Sequence, residues 1–89
     1  MAKAEISWKS RSEEGVKREV YVHCVGADWK FFVREKRYED WEPLDKPLLD
    51  DYRELLDAVQ RRIARRLLRP EEEARVKRLI RENYPEAEI

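Results

Sequence analysis

The side chains best suited to nucleophilic catalysis or zinc binding are scarce in this chain. It contains one histidine, His23, and one cysteine, Cys24, and the two are adjacent. In a strand, adjacent side chains point to opposite faces of the sheet, so these two cannot form a pair of nucleophile and base. A zinc site needs three or four ligands, and two ligands that point apart do not supply them. The sequence therefore predicts neither a catalytic dyad nor a zinc site.

Carboxylates are the other candidates for catalysis, and six of them crowd residues 39–51, with Lys46 as the one base among them. Their spacing does not fit a calcium-binding EF-hand loop. Acids near the start of a helix are also expected on electrostatic grounds, because the helix N-terminus carries a partial positive charge. The two glycines, Gly15 and Gly26, are too far apart for a phosphate-binding loop. We therefore predict no enzymatic activity, no cofactor and no metal site.

Arginine is concentrated towards the C-terminus. Residues 61–81 hold nine bases, eight of them arginine, against three glutamates. The planar guanidinium group suits phosphate and carboxylate, which favours recognition of an anionic partner. Part of this charge has a local explanation, since acids and bases four residues apart, such as Glu71 and Arg75, support a helix. The candidate binding residues, which we call the arginine flank, are Arg61, Arg62, Arg65 and Arg69.

Residues 18–35 predict a β-hairpin that turns at Gly26. Glycine at the first turn position suits a two-residue type II′ turn. That turn pairs Val22 with Phe31 on an apolar face and Tyr21 with Phe32 on the opposite face. A slip of one residue would destroy this sorting, so the pattern supports the register.

The second face of the hairpin is the other candidate binding surface. Tyr21 and Phe32 should lie on it beside Lys30 and Arg34. Aromatic rings interleaved with bases are typical of proteins that bind single-stranded nucleic acid. A cross-strand pair of rings covered by the N-terminal segment or by a second subunit accounts for the same residues. On the first interpretation, the candidate contact residues are Tyr21, Phe32, Lys30 and Arg34.

The segments around the hairpin predict a sheet followed by helices. A strand over about 5–9 should flank it, and residues 38–44 should form a short fourth strand. Steps of three and four between apolar residues predict helices over about 47–68 and 70–84, each with a proline in its first turn. The expected fold is α+β: an antiparallel β-meander of three to four strands within residues 5–44, then a C-terminal two-helix hairpin packed on one sheet face. A single domain over residues 1–89 is expected.

Charge and composition limit the possible functions. Twenty Lys and Arg residues balance twenty Asp and Glu residues, so the molecule lacks the overall basic charge of a dedicated nucleic-acid protein. One cysteine cannot form an internal disulfide, and apolar runs are too short for a membrane span, which predicts a cytoplasmic protein with no membrane partner. The leading hypothesis is a small non-enzymatic interaction module that binds another protein or a second copy of itself. The alternative is a nucleic-acid-binding protein that uses the arginine flank for phosphates and the exposed aromatics for bases.

Overall fold

Strands precede helices, as predicted. In a computed structural model, which describes residues 5–25 and 28–89, the strands are β1 (Glu5–Arg11), β2 (Lys17–Val25), β3 (Asp28–Arg34) and β4 (Glu42–Pro43). The helices are α1 (Leu49–Ala64) and α2 (Glu71–Asn83). The strands form one antiparallel sheet in the order β1-β2-β3-β4. The predicted α+β fold, a meander followed by two helices, is therefore confirmed.

The register of the central hairpin is also confirmed. Val22 pairs with Phe31, and Tyr21 pairs with Phe32. Val22 and Phe31 are buried, whereas Tyr21 and Phe32 are half-buried. The predicted turn at Gly26 lies outside the described residues. The apolar face of the hairpin is thus the buried face of the sheet, and the mixed face is the outer one, as the register predicts.

Two strand lengths differ from the prediction. β1 continues to Arg11, two residues beyond the expected end, and β4 has only two residues. Residues 36–39 form a turn instead of strand, because the Glu39 N–H donates to the Lys36 carbonyl at 3.0 Å. Beyond Pro43, which has no N–H to donate, the Leu44 N–H reaches the Phe31 carbonyl at 2.9 Å before the chain leaves the sheet.

Buried apolar side chains of both helices form the core with the inner face of the sheet. The Phe31 ring packs edge-on against Tyr52 of α1, with ring centroids 5.1 Å apart, and against Trp8 of β1 at 6.3 Å. The Tyr84 hydroxyl donates to the Pro47 carbonyl at 2.7 Å and ties the end of α2 to the start of α1. Burial, and then the neighbouring Tyr84 and Asp51, raise the pKa of Tyr52 to about 12. The fully buried members of the core are Val20, Val22, Leu55, Val59, Val76 and Ile80.

A buried polar network ties the start of α1 to the sheet. The Asp51 carboxylate is 1% exposed and accepts from the Arg18 guanidinium, whose side chain is 9% exposed. It also accepts from the Leu48 N–H at 3.1 Å and from Trp8 Nε1 at 3.4 Å. Arg18 Nε donates in turn to Ser10 Oγ at 3.1 Å. Asp51 lies in the first turn of α1, where an acid is expected on electrostatic grounds, and it is in addition a buried ion-pair partner of Arg18.

The N-terminus of α1 also departs from the prediction. Pro47 lies before the helix, outside its first turn, and the N-cap residue is Leu48. The leucine side chain has no acceptor for a helical N–H, so it makes no cap hydrogen bond. Asp51 at the third helical position accepts the Leu48 N–H instead, which is one half of a capping box.

The prediction that α1 extends to about residue 68 is wrong, because the helix ends at Ala64. Arg66 takes a left-handed conformation with φ of 61°. Its N–H donates to the Ile63 carbonyl at 2.9 Å, and the Leu67 N–H donates to the Arg62 carbonyl at 2.8 Å. This pair of bonds is the Schellman motif, which satisfies the last carbonyls of a helix. Glycine usually marks this position in a sequence, and here arginine occupies it.

We predict that Arg66→Gly stabilises the protein. A left-handed residue with a Cβ costs roughly 1 to 2 kcal/mol, and glycine removes that cost while loosening the unfolded chain. The expected net gain is about 0.5 to 1 kcal/mol in the free energy of unfolding, measured by urea denaturation. Arg65→Gly, at the adjacent residue with negative φ, is the control and should lower stability. A loss of stability in Arg66→Gly would contradict the described helix end.

Candidate binding surface

Three aromatic side chains form a cluster on the outer face of the sheet, opposite the helices. The Tyr21 ring contacts Phe32, at a centroid distance of 5.9 Å, and Trp41, at 5.5 Å. All three residues are half-buried. We call Tyr21, Phe32 and Trp41 the aromatic cluster. Each ring contacts a neighbouring ring of the cluster, which restricts its orientation.

Arg34 closes one side of the aromatic cluster. Its guanidinium carbon lies 4.2 Å from the Trp41 ring centroid, in a cation–π contact. Arg34 Nε also lies 3.4 Å from Glu19 Oε1, in the cross-strand charge pair that the register predicts. Both contacts hold the guanidinium group against the sheet, so part of its conformational entropy is already lost before any partner binds.

His23 and Glu5 border the cluster on its other side. The imidazole of His23 lies parallel to the Tyr21 ring, with centroids 6.2 Å apart. His23 Nδ1 is 3.9 Å from Glu5 Oε1 and 3.5 Å from the Tyr21 hydroxyl. Partial burial, and then the Glu5 carboxylate, raise the pKa of Tyr21. Tyr21 therefore presents a neutral phenol, which can donate or accept a hydrogen bond, at neutral pH.

Lys30 and Phe32 lie near the β4 edge of this face. Lys30 pairs with His23 and is exposed. Lys30, Phe32 and Pro43 line part of a groove of about 470 Å³ at that edge. Four candidate residues, Tyr21, Phe32, Lys30 and Arg34, thus lie on one face of the β2–β3 hairpin, as the register predicts.

A second groove, of about 450 Å³, lies at the end of the sheet next to the β1–β2 turn. Gly15 turns the chain there with φ of 81°, and its N–H donates to the Ser12 carbonyl at 2.9 Å. Bases outnumber acids in the lining by five to two. The charged residues that line this basic groove are Lys9, Arg11, Lys17, Arg18, Arg37, Glu19 and Glu35.

The arginine flank does not form the continuous helical stripe that its spacing predicts. Arg61 pairs with Asp57 on the surface of α1, and Arg62 Nη1 donates to the Ala58 carbonyl at 3.3 Å. Arg65 is the C-cap of α1, and Arg69 lies in the connection to α2. The stripe breaks because the left-handed Arg66 turns the chain away from the helix axis.

Two parts of this surface were missed by the sequence analysis. Trp41 belongs to the aromatic cluster, and extending the β3–β4 register by one pair places it opposite Arg34. The short β4 strand has little alternation, so its register had no clear signal. The basic groove has no local signal in the sequence, because its basic side chains come from β1, β2 and the segment after β3.

Other features of the described residues bear on catalysis and on membranes. Cys24 packs against the core, on the opposite side of β2 from His23. Burial, and then the Glu72 carboxylate, raise the pKa of its thiol. In residues 5–25 and 28–89, no group of three or more His, Cys, Asp or Glu side chains is placed to hold a metal ion. Neither α1 nor α2 has the length and apolar character needed to cross a membrane.

Comparison of this chain with protein-family models, with curated proteins and with solved structures finds no match in any of the three.

Proposed function

We propose that this protein is a non-enzymatic interaction module that binds its partner through the outer face of the sheet. The observation that carries the proposal is the aromatic cluster on the face opposite the helices. Tyrosine, tryptophan and arginine dominate the binding energy of protein interfaces. Tyr21, Trp41 and Arg34 supply all three types within one connected set of contacts.

The prior arrangement of these side chains further supports a binding role. Arg34 is already stacked on Trp41 and paired with Glu19. A surface that is ordered before binding loses less entropy when a partner arrives. The face is polar at its margins and aromatic at its centre, which is the usual composition of an interface.

Two classes of partner fit such a face. A protein, including a second copy of this chain, is favoured by the zero net charge of the whole molecule. A nucleic acid is favoured by aromatic rings next to basic side chains. The arginine flank gives less support than the sequence analysis expected, because its four residues are divided between α1 and the loop that follows it. The outer face is the common element of both interpretations.

Capture from a cell lysate by the immobilised protein tests this proposal, with both protein and nucleic acid measured in the bound fraction. Phe32→Ala should reduce capture by at least about tenfold, as expected for a central hot-spot ring. Tyr38→Ala is the matched control, since Tyr38 is 81% exposed and contacts Lys36 instead of the cluster. Far-UV circular dichroism should show both variants folded. If Phe32→Ala captures as much as the unmodified protein, or the unmodified protein captures nothing, the proposal fails.

A further inference from the structure

We infer that the partner of the outer face is a single-stranded nucleic acid, whose phosphates lie in the basic groove and whose bases stack on the aromatic cluster. This inference rests on the proposed function, because it assigns a class of partner to the same face. It also moves the phosphate site from the arginine flank to the β1–β2 end of the sheet.

The order of side chains along the outer face carries the inference. Cross-strand pairing creates rows of outward side chains, and successive rows lie about 7 Å apart. The row nearest the β1–β2 turn is basic, formed by Arg11 and Lys17. The next row is mixed and joins Lys9, Glu19 and Arg34, and the third joins Ser7, Tyr21 and Phe32. A polymer that carries anionic and aromatic groups can therefore contact the basic side chains and then the aromatic rings along one path.

The charge of the basic groove suits phosphate. Its lining contains five basic and two acidic side chains, although the molecule as a whole has no net charge. Of the five, Arg18 is held by the buried Asp51. Of the two acids, Glu19 is paired with Arg34. The side chains best placed to meet phosphates are the other four bases of the lining, namely Lys9, Arg11, Lys17 and Arg37.

The basic groove and the aromatic cluster are continuous. Glu19 lines the groove and pairs with Arg34, and Arg34 lies over the Trp41 ring. An unpaired base has an open face that can stack on such a ring or on a guanidinium plane, whereas the faces of bases in a duplex are already stacked. The combination of aromatic rings and basic side chains therefore favours a single strand over a duplex.

Fluorescence anisotropy with a labelled single strand of about 12 nucleotides, as RNA and as DNA, tests this inference. The matched duplex is the comparison. Binding of the single strand should be at least about tenfold tighter than binding of the duplex. With about four phosphate contacts, the plot of log affinity against log salt should have a slope near −3.

Three variants locate the site. Replacing Lys9 and Lys17 together by glutamine should weaken binding and reduce the slope by about 1.4. Phe32→Ala should weaken binding by about 5- to 150-fold with the slope unchanged, because it removes stacking and no charge. Replacing Arg65 and Arg69 together by glutamine removes the same charge from the arginine flank and is the matched control. It should leave the affinity within about twofold and the slope unchanged, because neither residue lies on the outer face.

Each outcome decides the inference. Absence of binding at low salt, equal binding of duplex and single strand, or an equal loss in the Arg65 and Arg69 control would overturn it. If the single strand does not bind while Phe32 remains necessary for capturing a protein, the nucleic-acid inference fails and the proposed function stands. If light scattering shows instead that the chain dimerises and that Phe32→Ala abolishes the dimer, the face serves a second copy of the chain, and the nucleic-acid inference again fails.

Discussion

Asp51→Asn is expected to lower the free energy of unfolding by about 3 to 5 kcal/mol, the usual cost of removing one partner of a buried ion pair. The substitution leaves the Arg18 guanidinium, whose side chain is only 9% exposed, without its counter-charge. It also replaces an acceptor of the Leu48 N–H by a neutral amide. Since a domain of this size has roughly 4 to 13 kcal/mol of stability, the loss is a large part of the total.

Urea denaturation followed by tryptophan fluorescence measures this effect. Asp50→Asn is the control, because Asp50 is in the same helical turn but exposed. It should change stability by less than about 0.5 kcal/mol. Replacing both partners by apolar residues, Arg18→Met with Asp51→Leu, should recover part of the loss, because no uncompensated charge stays buried. Equal effects of Asp51→Asn and Asp50→Asn would show that the network does not hold α1 to the sheet.

Adjacent phenylalanines in β3 should give opposite results when each is replaced by alanine. Phe31 is 6% exposed and packs between Trp8 and Tyr52, so Phe31→Ala should cost about 3 to 5 kcal/mol and leave the domain barely folded. Phe32 is half-buried on the other face. Phe32→Ala should cost roughly 1 to 2 kcal/mol, yet it should be the variant that loses binding.

The free energy of unfolding of the two variants is measured in urea, and partner capture is measured on whichever variant is folded. The two phenylalanines have the same chemistry and differ by one position in the chain, so each serves as the control for the other. Equal stabilities, or greater destabilisation by Phe32→Ala, would mean that the helices do not cover the Phe31 face.

The register of the central hairpin was predictable because its signal is local and redundant. Alternation along β2 and β3 sorts apolar from mixed side chains in only one register, and Val22 with Phe31 marks the buried face. The helical stripes were predictable for the same reason, since Leu55 and Val59 recur at helical spacing and are fully buried. Such patterns depend on neighbouring residues alone.

What could not be predicted depends on contacts between distant residues or on an atypical residue. Asp51 resembles its exposed neighbours in sequence, and only the fold brings it to Arg18, 33 residues away. The end of α1 carries no glycine, so Arg66 gives no sign of its left-handed conformation. Trp41 joins the aromatic cluster through the register of a two-residue strand.

The sequence points to the arginine flank as the candidate phosphate site, whereas the structure points to the basic groove. The arginines of residues 61–69 are close in sequence, so a search for local charge finds them at once. The helix end then separates them. Lys9, Lys17 and Arg37 are far apart in sequence and share a groove only because the meander returns twice to the same end of the sheet. Local charge density and the register of the strands thus point to two different candidate surfaces.

Hydroxyl-radical footprinting with mass-spectrometric readout tests most directly whether the helices cover one face of the sheet and leave the aromatic cluster open. Tyr21, Phe32 and Trp41 should be oxidised several-fold faster than Phe31 and Trp29, which are 6% and 7% exposed. Addition of the bound partner should then protect the cluster and leave the two core residues unchanged. Oxidation of Phe31 and Trp29 as fast as that of Phe32 would show that the helices do not cover that face of the sheet.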